Sequence, residues 1–137
     1  MIDMLQRLFN LEKGEKVTYE QLETAEFGVW YSLRKDIKKK DISSETTGVW
    51  FKRYLTKASG QLMFITRIFK GSGWHYHYHD CKETITSMNG RYVINDKRIA
   101  ENGEVVTFFS NTLHKVDYLD SDNDKYLEIL VEFTKIK

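Results

Sequence analysis

Four histidines are the chain's whole complement, and three of them, His75, His77 and His79, alternate within five residues. Side chains two apart on a β-strand project to the same face. The spacing therefore predicts that these imidazoles project together. A turn at Asp80, Cys81 and Lys82 follows, and Glu83 opens the next strand-like segment. An antiparallel return would set that carboxylate beside the histidines. Imidazole nitrogens and a carboxylate oxygen converging on one point form a metal site for first-row divalent ions. His114, on a distant segment, can supply a further imidazole. The alternative chemistry is acid-base work by the imidazoles without a metal.

Such a site needs strands to hold it. From Gly48 onward, segments rich in aromatic and β-branched residues alternate with Gly, Asn, Asp and Ser turns. Val49 to Leu55, Gln61 to Lys70, Trp74 to His79, Thr84 to Ile94, Glu104 to Phe109, Leu113 to Leu119 and Tyr126 to Thr134 read as strands. Gln61 to Lys70 is apolar on both faces, as expected of a strand between two covering layers. Asn95-Asp96 predicts a hairpin turn. The fold class expected is all-β, an antiparallel sandwich or barrel. The first 45 residues differ. Ile2, Leu5, Leu8 and Phe9 have helical spacing. Thr18 with Gln21 predicts a capped short helix. Phe27 to Ile37 fits a helix, or a strand around Gly28 to Tyr31. No linker separates the regions, so residues 1–137 are expected to form one domain: an N-terminal extension, 1–45, and a β-barrel, 46–135.

Composition narrows the partners. Twenty-one Lys and Arg balance 20 Asp and Glu, so no nucleic acid is expected. The first 45 residues show no helix-turn-helix. No apolar run approaches the roughly 18 residues of a membrane span, so no membrane is expected either. The N-terminus lacks the features of a signal peptide. The single cysteine, Cys81, excludes an internal disulfide framework and a paired-cysteine motif. The cytoplasm is the expected compartment. The basic run Arg34 to Lys40 reads as a solvated face.

The order Gly71-x5-His77-x-His79-x3-Glu83-x6-Gly90 resembles the first motif of the cupin superfamily at every position. Gly103-x5-Phe109-x-Asn111-x2-His114 is similar to the second, with departures. Phe109 stands at the family's proline, Asn111 at its second glycine and Tyr118 at its terminal asparagine. The resemblance spans residues 46 to 135. It implies a cupin jelly-roll barrel holding one divalent transition metal (Fe, Mn, Ni, Co or Zn). Position by position, it implies His77, His79, Glu83 and His114 as ligands. It further implies a small-molecule ligand or substrate, dioxygenase, isomerase or lyase chemistry, and a homodimer. A binding or sensing module without turnover, and a metal-free sugar-modifying cupin, are the alternatives. Thiol dioxygenases of this fold have a cysteine where this chain has Glu83, which disfavours that activity.

Other side chains invite roles. His75 shares the predicted face of His77 and His79 and is a candidate acid-base group. Tyr118, four residues beyond His114 on the same strand face, is a candidate catalytic or hydrogen-bonding residue. Arg67 lies mid-strand and, if it faces inward, would grip a substrate carboxylate. Its other reading is an outward or interface contact. Cys81 is expected to be a small turn residue, exposed or half-buried. Trp74, Tyr76 and Tyr78 alternate with the histidines and are expected on the opposite face. There they would pack under Phe27 and Trp30 or form a dimer surface.

Overall fold

Short alternating segments cannot satisfy their backbone groups alone, so the chain pairs them into two sheets. The computed structural model describes residues 14–32, 37–55 and 59–136. The helix expected around Ile2 to Phe9 lies outside the described residues, as does part of the basic run. In chain order the elements are β1 (Glu15–Lys16), α1 (Tyr19–Glu23), β2 (Trp30–Ser32), β3 (Lys38–Lys39), β4 (Val49–Leu55), β5 (Gln61–Phe69) and β6 (Gly73–Tyr78). β7 (Lys82–Ser87), β8 (Gly90–Ile94), β9 (Arg98–Ala100), β10 (Val105–Phe108), β11 (His114–Ser121) and β12 (Tyr126–Thr134) complete the series.

One sheet runs β1-β6-β11-β8-β9 and the other β10-β7-β12-β5-β4-β2-β3. Among the named strands all pairings are antiparallel except β1 with β6. The core lies between the sheets, where Leu62, Phe64, Ile68, Ile85, Val116, Leu127 and Ile129 are buried. Burying one such side chain stabilises the fold by about 1.5–3 kcal/mol. β5 buries both faces. Phe69 on its outer face joins Trp30, Ile42 and Trp50 in a second, smaller cluster. Ile42, from the loop between β3 and β4, thus helps cover the outer face that the apolar pattern of β5 required.

Local chemistry explains the turns. Thr18 caps α1 as expected. Its hydroxyl accepts from the Gln21 N–H at 3.1 Å, and the Gln21 side chain accepts from the Thr18 N–H at 2.8 Å. Trp30 resolves the ambiguous segment as a strand, paired with Lys52 of β4. Asn95 and Asp96 both adopt positive φ, 53° and 58°, between β8 and β9. The Lys97 N–H closes the turn on the Ile94 carbonyl at 3.0 Å, and a central pair in the left-handed region matches the twist of the flanking strands.

The expected face of the histidine strand needs correction. His114 pairs with His77, but Val116 pairs with Trp74. β6 therefore spends one residue more than β11, a β-bulge that reverses its alternation. Trp74 and His77 both point inward and are buried, while His75 is exposed. Trp74 consequently leaves the expected aromatic row. Trp30 packs with the outer cluster instead.

Candidate metal centre

The strand pairing brings His77, His79, Glu83 and His114 to one point. One ligand atom of each lies within 4.8 Å of all the others, and all four residues are buried. His77 and His79 come from β6 and its end, Glu83 from β7, and His114 from the start of β11 opposite His77. Two backbone details support this convergence. Asn111 has φ 62° and donates its N–H to the His79 carbonyl at 2.7 Å. Asparagine is the non-glycine residue best able to take this left-handed conformation. It keeps the turn that the resemblance assigns to glycine. At Gly90, an added Cβ would fall 2.2 Å from the Asp120 carbonyl oxygen, so β8 and β11 approach too closely there for any side chain.

Each imidazole is oriented from behind. Nδ1–H of His77 donates to the His75 carbonyl at 2.9 Å, that of His79 to the Val17 carbonyl at 2.8 Å, and that of His114 to the Thr112 carbonyl at 3.0 Å. A carbonyl only accepts, so the proton sits on Nδ1. The Nε2 lone pairs then face the centre. Nε2 of His114 lies 2.7 Å from Glu83 Oε1, and Nε2 of His79 lies 3.5 Å from it. His79 Nε2, His114 Nε2 and Glu83 Oε1 are buried with no hydrogen-bond donor. Acceptors facing acceptors out of water are costly unless a cation joins them.

The titration of the group follows from this crowding. Burial opposes ionisation of Glu83, but His114 and His79 beside it outweigh that and hold its carboxyl below the usual range. Burial also opposes charge on His114, yet Glu83 raises it above the ordinary imidazole value. Burial, then the neighbouring His79 and His114, lowers His77 well below that value. Glu83 and His114 thus favour each other's charged forms, so that without an ion a proton between them can take the cation's place. A divalent ion fits the same donors, three nitrogens and one carboxylate oxygen. The His–carbonyl bonds are the outer partners that metal-ligating imidazoles ordinarily have.

A cavity of about 70 Å³ opens beside this centre. Its walls are apolar, with Leu22, Phe51, Phe64, Trp74 and Phe133 among them, and Thr66 supplies a hydroxyl. Trp74 Nε1–H donates to His77 Nε2 at 3.0 Å within the buried interior.

Three expected participants stand elsewhere. His75 is exposed, across the sheet from the centre. Arg67 lies on the outer face, 3.0 Å from Glu128 and with its guanidinium over Tyr126, which is its outward reading. Tyr118 packs against the core, and its hydroxyl pairs with Ser121 at 2.8 Å. None of the three lines the cavity. Cys81 corrects the expectation of an exposed or half-buried thiol. It is fully buried, and burial, then Asp80 and Glu83, pushes it up to about 12.

The sequence reading missed Trp74, Thr66 and the N-terminal contribution. β1 lies parallel to β6, and Val17 both orients His79 and lines the cavity. Asp80 ties the start of α1 down by accepting the Tyr19 N–H at 2.8 Å. Only Gly73, next to Trp74, hinted at a bulge. A two-residue strand carries no periodicity that could announce β1.

No protein-family model and no curated protein matches the chain. Solved structures do. A cupin superfamily protein from Desulfitobacterium hafniense is 10% identical, with TM-score 0.57, covering 67% of this chain and 82% of that one. KdgF from a Halomonas species is 14% identical, with TM-score 0.55, covering 65% and 82%. The polyketide cyclase RemF from Streptomyces resistomycificus is 13% identical, with TM-score 0.52, covering 63% and 64%. At these identities the likeness carries the fold and not the activity. Among the described residues, no helix is long and apolar enough to cross a membrane. The two sheets, the motif spacing and these neighbours agree that the chain has the cupin fold.

Proposed function

We propose that the chain holds one divalent transition metal through His77, His79, Glu83 and His114, and that it is a small metal-dependent enzyme acting on a small organic molecule. The observation supporting this reading is the convergence of four buried ligand atoms within 4.8 Å of one another, three of which, His79 Nε2, His114 Nε2 and Glu83 Oε1, have no hydrogen-bond partner. Iron, manganese, nickel, cobalt and zinc all suit three nitrogens and a carboxylate. Four protein donors leave a five- or six-coordinate ion with room for a ligand. The metal would supply Lewis-acid polarisation or, if redox-active, oxygen chemistry. Dioxygenase, isomerase and lyase reactions are the classes in view.

The chain's own residues do the rest. The three carbonyl acceptors fix the imidazole rings. Phe51, Phe64 and Phe133 keep water from the reacting face. Thr66 offers a hydroxyl to a bound molecule. His75, Tyr118 and Arg67 play no part in this reading, since none lines the cavity. A homodimer and a cytoplasmic location belong to the same proposal. Exposed Val105, Phe109 and Leu113, on and beyond edge strand β10, offer apolar surface for pairing, and sedimentation velocity tests it.

Water-proton relaxation of protein loaded with Mn(II) tests the enzyme reading. An exchangeable water on the ion is the expected result. An ion with no exchangeable water would contradict an enzyme and leave a binding or sensing module.

A further inference from the structure

The cavity and the Trp74 hydrogen bond together point to a ligand class. We infer that the pocket takes a small, carbon-rich molecule bearing one hydrogen-bond acceptor, and that Trp74 selects for that acceptor.

The walls set the first part. Among the described residues no lysine or arginine lines the cavity, and Glu83 is the one charged group there. A sugar would bury many hydroxyls against phenylalanines, with Thr66 alone of the described lining to receive them. A carbon-rich molecule meets matching surface. The volume, about 70 Å³, is about half of the ~150 Å³ that holds a benzene ring in an apolar core. On that scale about three heavy atoms fit inside, and anything larger extends through the mouth.

Trp74 sets the second part. The β6 bulge turns its indole inward, where it is 7% exposed. Its N–H donates to the one lone pair of His77, because His77 Nδ1–H is already committed to the His75 carbonyl. A metal ion takes that same lone pair. The inference rests on the metal reading at this point: loading the centre strips the indole of its acceptor. A buried N–H left unpaired is unfavourable by more than the bond itself is worth. Thr66 aside, the described lining residues offer it no uncommitted neutral acceptor. A ligand that brings a carbonyl, ether or enol oxygen restores the bond. Trp74 thus acts as a donor toward the ligand, and its partner switches from His77 to the ligand on binding.

The test uses three neutral probes. Cyclopentanone has one acceptor, cyclopentene has none, and erythritol is small and hydroxyl-rich. Binding to the zinc-loaded protein is followed by the indole N–H resonances, with Trp74 assigned by its absence in Trp74→Phe. Zinc content is measured on every sample. We expect zinc to shift the Trp74 resonance. The ketone should shift it again and bind about fivefold tighter than the alkene, the worth of one net hydrogen bond. Erythritol should bind weakest. Trp74→Phe should retain zinc and bind ketone and alkene alike. Preferential binding of erythritol would overturn the inference. So would an unchanged ketone preference in Trp74→Phe. If that variant does not fold, the order of the three probes on the wild-type protein decides alone. Protein that takes no zinc but still ranks the probes ketone, alkene, erythritol would overturn the metal reading and leave the ligand class standing.

Discussion

Replacing Glu83 by Gln should separate the metal role of this residue from its structural role, with effects of very different size. In the metal-free protein Glu83 is a buried carboxylate 2.7 Å from His114 Nε2. Glu83 raises the His114 pKa against the effect of burial and so favours the ionic form of this pair. A buried ion pair replaced by a neutral, hydrogen-bonded pair changes stability little, because lost attraction and lost desolvation cost offset each other. The glutamine amide can donate to the neutral His114 Nε2. The metal-free variant should therefore stay within about 1 kcal/mol of the wild type. For 137 residues this is a melting shift of at most about 3–4 °C. Metal binding should respond far more. Losing a partner of a metal ligand already weakens binding about 10–100-fold, and losing the anionic ligand itself should reach at least the upper figure. Zinc at about a hundredfold above the wild-type Kd stabilises by about 2.7 kcal/mol, or about 9 °C. The same zinc should stabilise Glu83→Gln by about 0.4 kcal/mol, near 1 °C. Scanning calorimetry of both proteins, with chelator and with zinc, measures all four values. A Glu83→Gln variant that keeps the full zinc shift would refute the ligand assignment. A metal-free variant melting more than about 10 °C lower would refute the argument about the buried pair.

The bulge in β6 makes a second prediction. His75→Ala should keep its metal, whereas His77→Ala, His79→Ala and His114→Ala should each lose most of it, as read by elemental mass spectrometry. Equal loss in His75→Ala and His79→Ala would mean that the strand register is wrong. The pH dependence has a definite sign. Although burial pulls the other way, Glu83 raises the His114 pKa in the metal-free protein. The stability from that pair is complete below the ordinary imidazole value of about 6.5 and is lost as pH rises through the raised value. Metal-free protein should thus melt lower at pH 8.5 than at pH 6.5, and zinc, which replaces the proton, should stabilise it more at the higher pH. Cys81, buried and with its thiol pushed up to about 12, should resist a thiol reagent at pH 8 until the protein is unfolded. Rapid labelling of folded protein would contradict its placement.

Much of this architecture was legible because the relevant signals are local. The capping residues Thr18 and Gln21, the hairpin pair Asn95-Asp96 and the two-sided apolar pattern of β5 each act within a few residues, and each predicted its element. The four clustered donors were legible because their spacing is set by strand alternation and one turn. What was not legible depends on pairing. A period-two reading of β6 assumes an unbroken ladder, and the bulge opposite His114 and Val116 is a property of both strands together. It exchanged the places of His75 and Trp74. The burial of Cys81 and the role of the Val17 carbonyl depend likewise on the N-terminal segment folding back over β6. The outward aim of Arg67 could not be read from parity, since both faces of β5 are covered.

The most direct test of the central claim is the metal content of untagged protein purified without added metal or chelator, measured by elemental mass spectrometry. The four-residue centre predicts about one iron, manganese, nickel, cobalt or zinc per chain, or its restoration on reconstitution. A chain that holds substantially less, and that reconstitution cannot fill, would contradict the metal centre and return the buried histidines to acid-base or ligand-binding work.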